Sequence, residues 1–208
     1  MSAIEEDNIE QVLKDLLSDT KNDGFKMIKG MAKGIFRPIK STDFKEVYLS
    51  ISEEQGKDLS QLVQENNCKN IVEFGTSFGI STLFLAKGAI KTGGSIITTE
   101  LIDSKAQKAI DNFEKAGVYD LIEVRIGDAL KTLKNHKEPI DLLLLDGWKN
   151  LYFPIFQMLE PYFHAKTLVY VDNADMPEVQ KFLKKINENP KYQLKSQNRR
   201  KVVLIRRF

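Results

Sequence analysis

The feature that most constrains this chain is a repeated change of period: short apolar runs bounded by turn residues alternate with stretches whose apolar side chains recur at helical spacing. The runs are Asn70 to Phe74, Ser95 to Glu100, Leu121 to Ile126, Ile140 to Asp146 and Thr167 to Asp172. Each is followed by a helical pattern of roughly ten residues. Ile140-Asp-Leu-Leu-Leu-Leu145 is apolar almost throughout, which suits a strand covered on both faces. Such a βαβ series predicts a doubly wound, mostly parallel α/β sheet. Two closing strands, near Tyr192 to Ser196 and Val202 to Arg206, bring the expected sheet to seven strands.

Ahead of the series, Ile9, Val12, Leu13, Leu16 and Leu17 lie at helical spacing, and a turn-rich segment bearing Lys26, Lys29, Lys33, Arg37 and Lys40 follows. A second amphipathic helix runs from Ile51 through Leu59, Leu62 and Val63. The expected organisation is a helical, basic appendage over 1–50, packed on the same domain as the α/β unit of 51–208. A chain of 208 residues with no internal repeat and no long linker fits one core.

The opening Met1-Ser-Ala-Ile-Glu-Glu-Asp-Asn8 is acidic where a secretory signal is basic and then apolar. No apolar run approaches the ~20 residues that span a bilayer, so a cytoplasmic location without membrane contact is expected. The single cysteine, Cys68, excludes an internal disulfide and a cysteine-built metal site, and its position before an apolar strand predicts a buried structural thiol. A net charge of +2 does not point to a dominant nucleic-acid footprint.

Chemistry concentrates where the strands end. The stretch Val72-Glu-Phe-Gly-Thr-Ser-Phe-Gly-Ile-Ser-Thr82 can be a nucleotide-cradling turn, a G-x-S-x-G nucleophile elbow presenting Ser77, or an ordinary strand-to-helix turn. Ser77, Asp146 and His164 follow the hydrolase order of nucleophile, acid and histidine. However, the turn belongs to the first strand, and no His-Gly-type oxyanion loop precedes it. His164 reads as a capping or surface histidine at a helix end. The nucleotide reading requires an acid about 20 positions on, at the end of the second strand, to accept hydrogen bonds from a ribose diol. Glu100 meets that requirement.

The turn carries Gly75-x-Ser77-x-Gly79 with an acid, Glu73, just inside the strand, and so resembles motif I of class I S-adenosylmethionine-dependent methyltransferases, with Ser77 at the usual middle glycine. Gly127-Asp128-Ala129 ends the third strand, where the resemblance implies an acid against the adenine amino group. Read without the resemblance, Asp128 is a helix N-cap. The cofactor set implied by the resemblance is Glu73, Gly75, Ser77, Gly79, Ser81, Glu100, Asp128, Ala129 and Asp146.

A second constellation follows: Asp141-Leu-Leu-Leu-Leu-Asp146-Gly-Trp-Lys149-Asn-Leu-Tyr152, then Val171-Asp172-Asn173-Ala-Asp-Met-Pro177. Neighbouring parallel strands converge at their carboxyl ends, so Asp146, Asp172 and Asn173 can bring oxygen donors to one point. Oxygen ligands without His or Cys suit a hard cation, Mg²⁺ first and Ca²⁺ or Mn²⁺ as alternatives.

These segments resemble the metal-dependent catechol and caffeoyl-CoA O-methyltransferase family over roughly Ile51 to Pro177, with Ile51-Ser-Glu-Glu-Gln55-Gly56 similar to the family's lead-in helix. The resemblance implies metal at Asp146, Asp172 and Asn173, a catalytic base at Lys149 beside Asp146, a Rossmann-like methyltransferase fold and a homodimer. It implies a reaction in which a vicinal diol chelated by a divalent ion is acidified, Lys149 accepts a proton, and oxygen receives the methyl group. Trp148 is either a gate over the substrate or core packing; Phe78 and Ile80 read as packing.

The family's later glutamate, which holds the second hydroxyl, has no counterpart after Pro177. In its stead stands Lys195-Ser-Gln-Asn-Arg199-Arg200-Lys201. Cations at sheet edges keep a protein unaggregated, or here meet an anionic acceptor. The leading expectation is an O-methyltransferase acting on a small aromatic vicinal diol. The alternatives are O-methylation of a hydroxylated uridine in tRNA and a non-catalytic nucleotide-binding protein; Lys149 argues against the last.

Overall fold

The computed structural model describes residues 3–21 and 51–207, and the basic cluster from Lys26 to Lys40 lies outside the described residues. The strands are β1 (Asn70–Phe74), β2 (Ser95–Glu100), β3 (Ile122–Ile126), β4 (Ile140–Leu145), β5 (Phe163–Val171), β6 (Tyr192–Gln197) and β7 (Val202–Arg207). The helices are α1 (Ala3–Lys21), α2 (Glu53–Glu65), α3 (Ile80–Thr92), α4 (Asp103–Lys115), α5 (Ala129–Thr132), α6 (Tyr152–Leu159) and α7 (Pro177–Asn187). Among the described residues no helix is long and apolar enough to cross a membrane.

One seven-stranded sheet results, in the order β3-β2-β1-β4-β5-β7-β6. β1 to β5 pair in parallel, and β7 pairs antiparallel with both β5 and β6. The expected doubly wound, mostly parallel architecture is therefore what the chain adopts.

The continuous apolar runs are explained by burial on both faces. Leu142 and Leu144 join Ile71, Leu168 and Tyr170 in a core covered by α1 to α4, whereas Leu143 and Leu145 join Val72, Val169 and Val171 beneath α6 and α7. Removing one such leucine side chain by truncation to alanine costs about 2–5 kcal/mol, depending on how far the cavity collapses. Ile9, Leu13 and Leu16 of α1 belong to the first of these cores. Cys68 is buried too, and burial pushes its thiol up to about 12, which makes it inert at neutral pH.

Local differences from the sequence reading have physical causes. After β3 the expected ten-residue helix is only Ala129–Thr132, because the polar, proline-ended stretch Lys134–Pro139 offers no apolar face to continue it. β5 begins at Phe163, not Thr167, through a register shift opposite Ile140 and Leu142. His164 therefore lies inside a strand, and its Nε2 meets Asp141 Oδ1 at 2.9 Å. That pair sits at the amino edge of the sheet, a full strand length from Ser77 and Asp146 at the carboxyl edge. The serine hydrolase arrangement is thereby excluded.

The order of strands reverses between β1 and β4, and the carboxyl ends at such a switch point form the crevice where doubly wound sheets bind ligands. Register pairs Phe74 with both Thr99 and Leu145, and Leu145 with Val171, so the segments after β1, β2, β4 and β5 leave the sheet at one level.

Candidate functional site

The turn after β1 is shaped by close approach. Gly75 has φ of +113°, and a Cβ there would lie 2.7 Å from the Asp146 carbonyl oxygen, so no side chain fits. Ser77 occupies the left-handed region at φ of +50°, the conformation for which the usual glycine is suited. Gly75 and Thr76 N–H donate to the Thr99 carbonyl at 3.2 and 3.0 Å, and Gly79 closes the turn onto Thr76 at 2.9 Å.

Beneath the turn, Glu73 is fully buried. Its carboxyl accepts from Ser81 Oγ and Thr82 Oγ1 at 2.5 Å each, and from Thr98 Oγ1 at 2.6 Å. Burial raises its proton affinity above the ordinary glutamate range, and the three hydroxyls pull it back. Glu73 and Ser81 thus spend their polar atoms on each other, tying β1 and β2 to the first turn of α3. Glu73, counted in the implied cofactor set, is thus a buried carboxyl held by hydroxyls and not one poised for a direct salt link to a ligand's cationic end.

Glu100, at the end of β2, stands open beside the same turn. Its two oxygens accept from Ser77 N–H and Ile102 N–H, both at 2.8 Å, which fixes the carboxylate while leaving lone pairs for a diol. Asp128 caps α5 by accepting from Leu130 N–H at 3.0 Å. Gly127 N–H donates to the Glu100 carbonyl at 2.8 Å, bringing the Asp128-Ala129 step alongside. Lys105, which no motif singled out, is buried with Nζ 3.4 Å from Ser77 Oγ and 5.1 Å from the Phe78 ring centroid. Phe78 and Ile80 are core residues, as expected.

The second constellation gathers at the ends of β4 and β5. Asp146 N–H donates to the Phe74 carbonyl and Asp172 N–H to the Leu145 carbonyl, each at 3.0 Å, so the ladder itself delivers both aspartates to one point. Their carboxyl groups come within hydrogen-bonding reach of each other. Burial first, then the Asp172 charge, pushes the Asp146 carboxyl well above its usual range, while the Lys149 ammonium pulls it down. Lys149 Nζ lies 3.4 Å from Asp146 Oδ1 and 5.3 Å from the centroid of Tyr152. Gln55 Nε2 donates to Asp172 Oδ1 at 2.8 Å, while its Oε1 accepts from Ser52 N–H at 3.1 Å as part of a capping box. Asn173 follows with φ of +54°, its carbonyl accepting from Met176 N–H at 3.0 Å. Two facing carboxyls need a proton or a cation between them. The donor set of Asp146, Asp172 and Asn173 accordingly fits a hard divalent ion. Among the described residues no group of three or more His, Cys, Asp or Glu competes for that role.

The rim is apolar. Leu101, Ile126, Trp148 and Met176, exposed by 38–51%, follow or end β2, β3, β4 and β5 at the carboxyl edge. Exposed apolar side chains concentrated at one edge mark a binding surface. Trp148 is 39% exposed, which excludes the core-packing alternative.

The model of the O-methyltransferase family matches residues 36–201. A catechol O-methyltransferase of Niastella koreensis is 34% identical over 130 residues, covering 61% of this chain and 58% of that protein. One from Mycobacterium tuberculosis is 33% identical over 127 residues, covering 61% and 57%. The chain thus matches less than two-thirds of the length of these relatives. The crystal structure of an O-methyltransferase from Bacillus cereus in complex with SAH superposes with a TM-score of 0.69 at 25% identity, covering 88% of this chain and 97% of that one.

Proposed function

The chain belongs to the O-methyltransferase family, and from that premise we propose that it transfers the methyl group of S-adenosylmethionine to one hydroxyl of a small aromatic vicinal diol, with a divalent metal, Mg²⁺ first, as activator. The observation that carries this reading is the meeting of Asp146 and Asp172 beside Asn173 and Lys149, next to the glycine turn and Glu100.

When bound, S-adenosylmethionine supplies an electrophilic methyl on a sulfonium, and the divalent ion acidifies a chelated hydroxyl. Glu100 would accept hydrogen bonds from the ribose diol, and Gly75 and Gly79 keep the turn between them tight where the cofactor would pass. Asp128 and Ala129 would border its adenine end. Asp146, Asp172 and Asn173 would hold the metal, with Gln55 orienting Asp172 and the Tyr152 hydroxyl beside the Asp172 carbonyl at 3.4 Å. Lys149 Nζ, as the neutral amine once its own proton has left to solvent, would take the proton from the hydroxyl to be methylated, and Trp148 would cover the acceptor ring. Fixing acceptor and cofactor in line supplies much of the rate.

The experiment is turnover of 3,4-dihydroxybenzoate by Lys149→Ala. A positioned general base contributes about 10²–10⁴-fold, so a fall of that size with unchanged S-adenosylhomocysteine affinity is expected. Full activity in the variant would remove Lys149 from its role.

A further inference from the structure

The segment between β6 and β7 does no work in the reaction as derived above, yet it is built into the acceptor side of the site. β7 runs antiparallel to β5, with Val203 opposite Val171, so its first residues stand at the carboxyl edge next to Asp172 and Asn173. Ala174 N–H donates to the Lys201 carbonyl at 2.8 Å, and Asn198 Nδ2 donates to Asp58 Oδ2 at 3.1 Å, one helical turn beyond Gln55. The turn is therefore pinned on one side to the strand end that carries Asp172 and on the other to the helix that holds it.

Its backbone is unusual. Asn198, Arg199 and Arg200 have φ of +46°, +54° and +71°, three successive residues in the left-handed region, two of them long side chains for which it is unfavourable. Both arginines are exposed, and neither makes an ion pair among the described residues. A strained turn that holds two exposed guanidinium groups beside a binding crevice is an arrangement for meeting a ligand's negative charge, since arginine grips carboxylate and phosphate by paired hydrogen bonds.

We propose that the Asn198–Lys201 turn is an anion-recognition element of the acceptor site, in which Arg199 and Arg200 bind an anionic substituent of the acceptor, a carboxylate or a phosphate, remote from the oxygen that is methylated. This rests on the acceptor reading above and narrows it from neutral catechols to anionic ones. Lys201, whose carbonyl anchors the turn, adds a third positive charge.

The test is calorimetric binding to the protein saturated with S-adenosylhomocysteine and Mg²⁺. The ligands are 3,4-dihydroxybenzoate, its neutral counterpart catechol and a catechol phosphomonoester, with wild type compared with the double variant Arg199→Gly, Arg200→Gly. Glycine removes both guanidinium groups and relieves the left-handed backbone, so the thermal midpoint should stay level or rise. Hydrogen bonds between charged groups predict that the wild type prefers one anionic ligand over catechol by about tenfold or more and that the variant loses this preference while keeping its affinity for S-adenosylhomocysteine. Which anion gains more separates carboxylate from phosphate. A wild type that binds catechol as well as both anions, or a preference that survives in the variant, overturns the proposal. A salt-sensitive complex with tRNA that is lost in the variant, with no preference among the small ligands, overturns it in favour of RNA. Turnover is followed separately: Arg-dependent anion binding without methyl transfer would sink the catalytic reading while leaving the anion site standing.

Discussion

Gln55 Nε2 donates to Asp172 Oδ1 at 2.8 Å, joining the first turn of α2 to the end of β5 across 117 positions of sequence. The same side chain closes the helix's capping box through its other amide atom, so its orientation is fixed from behind. The Asp172 carboxyl is thereby oriented while it keeps further lone pairs for a cation.

Gln55→Ala should therefore loosen the metal site without touching the cofactor turn. Outer hydrogen-bond partners of metal ligands are worth about 10–100-fold in metal affinity. Magnesium titration should register a loss in that range, with S-adenosylhomocysteine affinity unchanged. An unaltered magnesium affinity would mean that Gln55 serves only the helix cap.

Gly75→Ala tests the close approach between the two halves of the site. The added methyl would press on the Asp146 carbonyl at 2.7 Å, in a backbone conformation that alanine resists. Strain of this kind costs about 1–3 kcal/mol before the clash is counted. Urea unfolding should report at least that loss, and cofactor affinity should fall with it. A variant of wild-type stability would show that the turn relaxes freely.

Glu73 gives a pH-dependent prediction whose sign follows from burial. Its folded-state proton affinity is raised above that of the unfolded chain, so the native state binds more protons and stability declines as pH rises from about 4 through the folded-state value. Glu73→Gln has no such titration. The stability of the variant relative to wild type should climb with pH across that window, measured by chemical denaturation at a series of pH values. A flat difference would mean that Glu73 titrates alike in both states.

Three strand ends were readable in advance because those apolar runs stop on the residue that matters: Glu100, Asp146 and Asp172 all follow directly from where the alternation breaks. The ladder then brings them together without further instruction. Partnerships across the fold were not readable. Gln55 is one polar residue on an amphipathic helix, and only tertiary packing points it at Asp172. Glu73 looked ligand-facing because strand periodicity does not say which face carries hydroxyls; Ser81, Thr82 and Thr98 happen to close over it. Lys105 carried no local signal at all, being one lysine in a charged helix whose burial depends on Phe78. The β6–β7 turn was visible as a basic stretch, but its three left-handed residues and its anchoring to Ala174 and Asp58 arise only from the antiparallel return of β7.

The most direct measurement of the central claim is transfer of labelled methyl from S-adenosylmethionine to 3,4-dihydroxybenzoate by the intact chain, with Mg²⁺ and again with excess chelator, alongside titration with S-adenosylhomocysteine. Turnover that chelator abolishes and Mg²⁺ restores, with cofactor binding demonstrated in the same preparation, is the predicted result. Equal turnover with chelator present would contradict a metal held by Asp146, Asp172 and Asn173.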